Sequence, residues 1–176
     1  LKERGAQDSR IFSYGHRNIQ GITFVSNPKN GVIGYTAEHG SDIDDEINPL
    51  VVGNFGWEPN EGYSESGVPM TDKKKFPNAI DAFWSSGNST IAPSGIASIS
   101  GKQWKSWDGA LALAVLKDKY LKILTMKDDG TKDKEFSILA EYGRLRDVEQ
   151  APDGSLYITT DNGEEKDVIL RVTPVE

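Results

Sequence analysis

Short runs of alternating apolar and polar residues, each ended by turn-forming residues, limit the fold of this chain more than any other feature. The run 156–159, Leu-Tyr-Ile-Thr, begins one residue after the turn sequence Pro152-Asp153-Gly154. Alternation with a period of two is typical of half-buried strands, and Pro followed by Gly favours a tight turn. The pattern predicts an all-β fold of short strands.

One stretch of the chain is compatible with either a helix or two strands. Leu113, Leu116, Tyr120 and Leu124 are also spaced as on one face of a helix. We predict a hairpin that turns at Asp118-Lys119. The other runs predict a hairpin over 22–36 turning at Asn30-Gly31, a hairpin around 150–159, and strands at 47–52, 91–99, 110–116, 120–126, 136–142 and 168–172.

Composition excludes several classes of function. The chain has 27 acidic and 20 basic residues and a formal net charge of -7, which argues against nucleic acid as a partner. No apolar run approaches the roughly 18 residues that would cross a bilayer. The absence of cysteine excludes disulfides and thiolate metal sites. Because Leu1 rather than Met stands first, we expect a processed chain or a fragment.

Three segments, 18–22, 91–96 and 146–150, occupy equivalent places before or within predicted strands. Irregular repeats of about 40 to 50 residues, each made of short strands, suggest β-propeller blades. We predict one partial propeller domain over 1–176, with a first blade at 11–57, a long excursion at 58–88, a second blade at 89–142 and a third at 143–176. Two blades and most of a third make about half a propeller.

Five motifs in order, the second of them in two parts at 38–41 and 44–48, resemble the carboxy-terminal half of the soluble quinoprotein glucose/sorbosone dehydrogenases. They are Gly-His-Arg-Asn at 15–18, Glu-His-Gly-Ser at 38–41, Asp-Asp-Glu-Ile-Asn at 44–48, Asn-Phe-Gly-Trp at 54–57, Ile-Ala-Pro-Ser-Gly at 91–95 and Arg-Leu-Arg-Asp-Val at 144–148. That family includes the glucose and aldose sugar dehydrogenases that use pyrroloquinoline quinone (PQQ). The resemblance implies a six-bladed β-propeller with the cofactor over its central channel.

The resemblance also implies roles for individual residues. The carbonyl groups of Gly40 and Ser41 correspond to ligands of the cofactor's Ca²⁺. No catalytic residue is implied in this chain, because the family's base is a histidine in the preceding half, which neither His16 nor His39 matches. The residues that correspond to cofactor contacts are Arg17, Asn18, Thr90, Lys117, Arg144, Arg146 and Trp84.

Charge considerations support the same cations. PQQ carries three carboxylates, and guanidinium groups bind carboxylates through two parallel hydrogen bonds. Alternation along a strand places Arg144 and Arg146 on one side. The alternative is that each cation is a solvated surface charge, as most lysines and arginines are. The acidic run from Asp42 to Glu46 lacks the glycine of an EF-hand loop, so we interpret it as a solvated turn in which one carboxylate could have a structural role.

Two hypotheses of function follow. In the first, the chain is the cofactor-binding half of a PQQ- and Ca²⁺-dependent sugar dehydrogenase, inactive alone, whose partner is a missing amino-terminal half. In the second, it is a noncatalytic propeller used as a binding module, with a second copy of itself as a partner. The sugar is a substrate of the complete protein only, and the resemblance implies a periplasmic or secreted location.

Overall fold

The computed structural model describes residues 8–27 and 31–175, and the regular secondary structure in that part of the chain consists almost entirely of β-strands. Two short 3₁₀ segments, Lys102–Trp107 and Ala140–Tyr142, interrupt the strands. The strands are β1 Ser13–Tyr14, β2 Ile19–Asn27, β3 Gly31–Glu38, β4 Glu46–Pro49, β5 Gly53–Asn54, β6 Trp84–Ser85, β7 Pro93–Ser98, β8 Leu111–Val115, β9 Tyr120–Met126, β10 Lys132–Ile138, β11 Leu145–Gln150, β12 Leu156–Thr160 and β13 Ile169–Val172.

These strands form three antiparallel sheets and one small parallel pair. The first sheet has the order β2-β3-β4-β6, the second β7-β8-β9-β10 and the third β11-β12-β13. Strands β1 and β5 pair in parallel beside the first sheet. Each sheet is therefore a meander of neighbouring strands, except that a long connection separates β4 from β6.

The opening strands of the three sheets lie side by side. The backbone N–H of Ser98 donates to Thr23 Oγ1 at 2.9 Å, and a Cβ on Gly21 would lie 2.8 Å from the carbonyl oxygen of Ser94. Residues early in β2 therefore lie beside residues early in β7, and later residues lie beside later ones, so the two strands run in the same direction. Residues that precede both strands lie at the same end of the two sheets.

Strand β11 continues this arrangement on the other side of β7. A Cβ on Gly95 would lie 2.7 Å from the Cα of Asp147, and the N–H of Ser100 donates to Gln150 Oε1 at 2.9 Å. Strand β11 therefore also runs in the direction of β7. Glycine at position 95 is what lets the two backbones approach so closely.

Strand β8, in the middle of the second sheet, is buried on both faces. Its larger side chains, Leu111, Leu113 and Val115, pack with residues of the first sheet. Its alanines, Ala112 and Ala114, pack with residues of the third sheet. A strand covered on both faces has a nearly continuous apolar sequence, which is why residues 111–126 also fitted a helical spacing.

The prediction of a hairpin for that stretch is confirmed. Strands β8 and β9 are antiparallel, and Val115 pairs with Tyr120. Lys119 has a φ of 60°, which turns the chain between them. For the hairpin over 22–36, strands β2 and β3 are antiparallel as predicted, whereas Asn30, placed in its turn, lies outside the described residues.

Two predicted strands have the wrong bounds. The strand placed at 136–142 begins earlier, as β10, and ends at Ile138; Leu139 then takes a φ of 62° and starts a 3₁₀ turn. The strand placed at 47–52 ends at Pro49. Beyond it, Gly53 and Asn54 form the parallel pair with β1, a two-residue contact that no periodic pattern could reveal.

The segment 58–88 contains both a strand and a small core of its own. Its strand β6 extends the first sheet, where Trp84 pairs with Ile47. Val68 and Met70 pack on Trp57 in a separate buried cluster. This part of the chain is therefore fixed against the first sheet over much of its length.

The first sheet leaves apolar side chains in solvent on its outer face. Ile22 and Phe24 of β2 are each 55% exposed. Their neighbours in the strand, Thr23 and Val25, face the second sheet instead. Strand β2 is thus apolar on both faces although only one of them is covered.

Candidate functional site

Most of the predicted site residues lie at one end of the three sheets. Arg17 precedes β2, Thr90 precedes β7 and Arg144 precedes β11, and these strands run in the same direction. Lys117 lies in the turn after β8, whose last residue, Val115, pairs with the first residue of β7. Gly40 follows β3, whose last residue pairs with the first residue of β2.

Glu38 fixes the segment that carries Arg17. Its side chain is 1% exposed and accepts the backbone N–H groups of Arg17 and Asn18. The other carboxylate oxygen contacts His16 Nδ1 at 2.9 Å. A buried carboxylate that accepts several backbone N–H groups stabilises one loop conformation, because any other conformation would leave the carboxylate without these partners.

The guanidinium of Arg17 joins two parts of the chain. Its Nη1 donates to the carbonyl oxygens of His39 and Gly40 at 2.7 and 3.0 Å. Its Nε and Nη2 both donate to Glu65 Oε2, at 3.0 and 2.7 Å. The Arg17 side chain, 18% exposed, is therefore held between the loop after β3 and the segment 58–88.

Asp45 connects the first sheet to the second. Its fully buried carboxylate accepts the backbone N–H of Gly40 at 2.7 Å and those of Ile91 and Ala92 at 2.5 and 2.8 Å. His39 Nδ1 lies 3.2 Å from the same carboxylate. One side chain thus sets the position of the Gly40 loop relative to the segment that leads into β7.

Lys117 and Thr90 are in direct contact. Lys117 Nζ donates to the carbonyl oxygen of Thr90 at 2.7 Å and to its Oγ1 at 2.9 Å. The backbone N–H of Lys117 also donates to Ile91 O at 3.0 Å. These described contacts of the ammonium group are to neutral oxygens, so none of them pairs it with a carboxylate.

Arg144 and Arg146 form a second cationic group around one carboxylate. Arg144 Nη2 lies 3.4 Å from Asp161 Oδ2, and Arg146 Nη2 is hydrogen-bonded to the same oxygen. Arg144 Nε also donates to the backbone carbonyl of Asp161 at 2.9 Å. These guanidiniums, Arg146 above all, hold the pKa of Asp161 below its ordinary value.

The remaining predicted residues have different surroundings. Asn18 is exposed, and its Oδ1 accepts a hydrogen bond from Gln20 at 2.6 Å. Ser41 follows Gly40 in the same loop and is half-buried. Trp84 packs in the core between the first two sheets, where the ammonium group of Lys122 lies 5.2 Å from its ring centroid. The side chain of Trp84 therefore belongs to the hydrophobic core in this structure.

The interpretation of 42–46 as a solvated turn is wrong for its last two members. Asp45 is fully buried, and Glu46 is 3% exposed. Burial, followed by the negative charges of Asp44 and Glu38, raises the pKa of Glu46 to about 7, although hydrogen bonds from Asn48 and Thr71 oppose the shift. Sequence reasoning missed both residues because a run of acidic residues usually indicates exposure.

Both histidines have partners consistent with structural roles. His16 lies 2.9 Å from Ser13 Oγ through Nε2 and 2.9 Å from Glu38 through Nδ1, and its ring stacks on Phe55 with centroids 4.5 Å apart. His39 Nδ1 contacts Gly40 O at 2.5 Å. Both ring nitrogens of His16 are therefore engaged.

The cation set fits an anionic cofactor with several carboxylates, because guanidinium and ammonium donors are fixed at one end of adjacent sheets. The predicted calcium ligand Gly40 fits less well. Its carbonyl oxygen already accepts from Arg17 and His39, so a cation could bind there only after one of these donors withdrew. Within 8–27 and 31–175, no three or more acidic or histidine side chains converge as metal ligands.

Three adjacent sheets with a cationic end define a propeller-type protein that is suited to an anionic ligand. The chain belongs to the glucose/sorbosone dehydrogenase family, whose model matches residues 1–171. It is 33% identical to the aldose sugar dehydrogenase YliI of Escherichia coli over 181 residues, a match that covers 99% of this chain and 46% of that protein.

Solved structures agree with this assignment. The apo form of the soluble aldose sugar dehydrogenase of Escherichia coli superposes with a TM-score of 0.75 at 29% identity, over 96% of this chain and 48% of that one. The PQQ-bound aldose sugar dehydrogenase of Streptomyces coelicolor superposes with a TM-score of 0.63 at 29% identity, over 93% and 45%. The chain therefore spans about half the length of these relatives and has the fold of half a β-propeller.

Proposed function

We propose that this chain is the cofactor-binding half of a PQQ- and Ca²⁺-dependent aldose dehydrogenase and that it is inactive without the other half. The observation that carries the proposal is the placement of four cations, Arg17, Lys117, Arg144 and Arg146, at one end of three adjacent sheets. The name of the Streptomyces coelicolor relative, which binds PQQ, supplies the cofactor class.

The residues of this chain would bind and orient the cofactor. Arg144 and Arg146 offer a pair of guanidiniums that can bind carboxylates, and Lys117 adds an ammonium group that carries no carboxylate partner in its described contacts. Arg17 would place a positive charge near a quinone oxygen and stabilise negative charge there. Bound PQQ would supply the acceptor for the hydride of the sugar.

In our proposal, no residue of this chain is the base that removes the proton of the sugar hydroxyl. His16 has partners at both ring nitrogens, and His39 directs Nδ1 at Gly40 O. We place the base in a missing amino-terminal half. The Ca²⁺ proposal at Gly40 and Ser41 requires that Arg17 or His39 release the Gly40 carbonyl.

One observation favours a noncatalytic binding module as the second candidate function. Two of the predicted cation positions already have carboxylate partners within the chain: Glu65 at Arg17, and Asp161 at the Arg144 and Arg146 pair. A propeller that had lost its cofactor could neutralise its cations in this way. In that case a second copy of the chain would be the expected partner.

Titration of the full chain with PQQ in the presence of Ca²⁺ tests the proposal. We expect the double variant Arg144→Ala with Arg146→Ala to bind PQQ at least roughly a hundredfold more weakly, since hydrogen bonds to charged groups contribute about 1.5 to 3 kcal/mol each and about 1.4 kcal/mol corresponds to a tenfold change. Arg10→Ala, which removes an exposed guanidinium that forms an ion pair with Asp8, is the matched control. An unchanged dissociation constant in the double variant would favour the binding module.

The cellular location of the protein is also part of this proposal. In the described part of the chain, no helix is long and apolar enough to span a membrane. The periplasmic or secreted placement rests on the family alone. Detection of the full-length protein in a periplasmic extract would test it.

A further inference from the structure

The hydrogen bonds between Arg17 and Glu65 resemble those that an arginine makes with the carboxylate of a bound ligand. Both N–H groups on one edge of the guanidinium, Nε and Nη2, point at Glu65 Oε2 at 3.0 and 2.7 Å. That edge is one of those through which arginine can bind carboxylates of ligands. Glu65 therefore occupies the place that a carboxylate or quinone oxygen of an anionic ligand would take.

The donors of Arg17 are almost fully used in this arrangement. The guanidinium has five N–H donors, and four of them go to Glu65, His39 O and Gly40 O. One donor is left, so an anion that binds Arg17 through two hydrogen bonds must take at least one further donor from Glu65 or from one of the two carbonyl groups. Glu65 is the easier group to displace, because its side chain is 27% exposed and water can replace Arg17 as its partner.

Glu65 is held near Arg17 by local structure. Asn60 and Ser64 form an isolated β-bridge, and the N–H of Val68 donates to the Glu65 carbonyl at 3.1 Å. Val68 then packs in the cluster with Trp57 and Met70. The N–H of Trp57 donates to the carbonyl of Gly15 at 2.9 Å, two residues before Arg17. The segment that carries Glu65 is thus attached to the segment that carries Arg17.

We infer that Glu65 is a built-in competitor for the anion site at Arg17 and lowers the affinity of the site for anionic ligands. The inference rests on the proposed function for the identity of the ligand, but its chemistry applies to any carboxylate that reaches Arg17. A further consequence concerns Gly40. While Glu65 holds Arg17 in place, Nη1 stays on the Gly40 carbonyl, which is the predicted calcium ligand.

Titration of the Glu65→Gln variant with PQQ tests this inference by binding alone, without any turnover. Glutamine keeps the size of the side chain and removes its charge, so PQQ is expected to bind about tenfold more tightly than to the unaltered chain. Glu65→Asp keeps the charge but shortens the reach, and its affinity should fall between the two. Glu61→Gln, an exposed change on the same segment, is the matched control and should bind as the unaltered chain does.

A second probe separates failure of this inference from failure of the proposed function. Citrate, a small tricarboxylate, is titrated while the Nε–Hε resonance of Arg17 is followed by NMR. If no variant binds PQQ, the proposed function is wrong, yet Glu65→Gln should still strengthen citrate binding at Arg17. Equal or weaker binding of PQQ by a folded Glu65→Gln chain, or equal citrate binding when PQQ does not bind, would overturn the inference.

Discussion

The carboxylate of Asp45 joins two loops near the site. A single carboxylate accepts three backbone N–H groups from two loops that belong to different sheets. It is also fully buried, so water cannot replace any of these contacts. The geometry at Gly40 and at the start of β7 therefore depends on one side chain.

We expect Asp45→Asn to lower the free energy of unfolding by about 2 to 4 kcal/mol. The amide can accept through one oxygen only, and its NH₂ would face the N–H groups that the second carboxylate oxygen now accepts. Urea unfolding of the variant provides the measurement. Asp42→Asn, an exposed change in the same loop, should leave the midpoint nearly unchanged, and equal midpoints for both variants would contradict the expectation.

Glu46 should make the stability of the chain depend on pH. Its pKa rises from an ordinary value of 4.5 to about 7 in the folded protein, chiefly through burial. The folded state therefore binds a proton that the unfolded state has released, and stability falls as the pH rises from about 4.5 to about 7. Glu46→Gln should remove this loss.

The test compares unfolding of Glu46→Gln and the unaltered chain at pH 5 and pH 8. We expect the variant to gain up to about 3 kcal/mol relative to the unaltered chain at pH 8, and much less at pH 5. Glu149→Gln, an exposed change on β11, should show no such difference. An equal effect of Glu46→Gln at both pH values would mean that Glu46 is ionised throughout.

At the scale of elements, the sequence predicted those strands and turns that local residue patterns determine. The hairpin β8–β9 followed from the turn residues, even though the apolar run alone also fitted a helix, since β8 is buried on both faces. The burial of Asp45 and Glu46 could not be predicted, because it depends on the loop before β7 and on Thr71. Glu65 had no signal at all, since its partner lies 48 positions away in the chain.

The close approach of β7 and β11 gives a prediction for one glycine. Gly95→Ala should destabilise the fold by about 1 to 3 kcal/mol, because the new methyl group would lie 2.7 Å from the Cα of Asp147, a backbone atom that cannot rotate away. Thermal unfolding measures the effect. Ser137→Ala, an exposed change on β10 of the same sheet, is the control, and an equally stable Gly95→Ala chain would mean that the second and third sheets separate easily.

At the scale of the whole molecule, the uncovered face of β2 is the feature that most affects assembly. Ile22 and Phe24 are each 55% exposed on a strand whose other face is covered by the second sheet. Apolar side chains in such a row favour contact with another surface. A second copy or an amino-terminal half would each supply one.

We therefore expect that the purified chain does not persist as a monomer of 19.3 kDa. Light scattering should give at least twice that mass, with a twofold dimer as the simplest closed arrangement. The double variant Ile22→Ser with Phe24→Ser should shift the equilibrium toward the monomer, whereas Tyr63→Ser, at a side chain 73% exposed on the segment 58–88, should not. A monodisperse monomer of the unaltered chain would contradict this expectation.

The bonds that Asp45 makes to the second sheet have a consequence for sequence drift. Ile91 and Ala92 contribute only their backbone N–H groups, and every amino acid except proline carries that group. As far as these bonds are concerned, both positions are free to vary during evolution. Substitution at positions 91 and 92 thus leaves these particular bonds possible, whereas replacement of Asp45 would remove the acceptor of all three N–H groups at once.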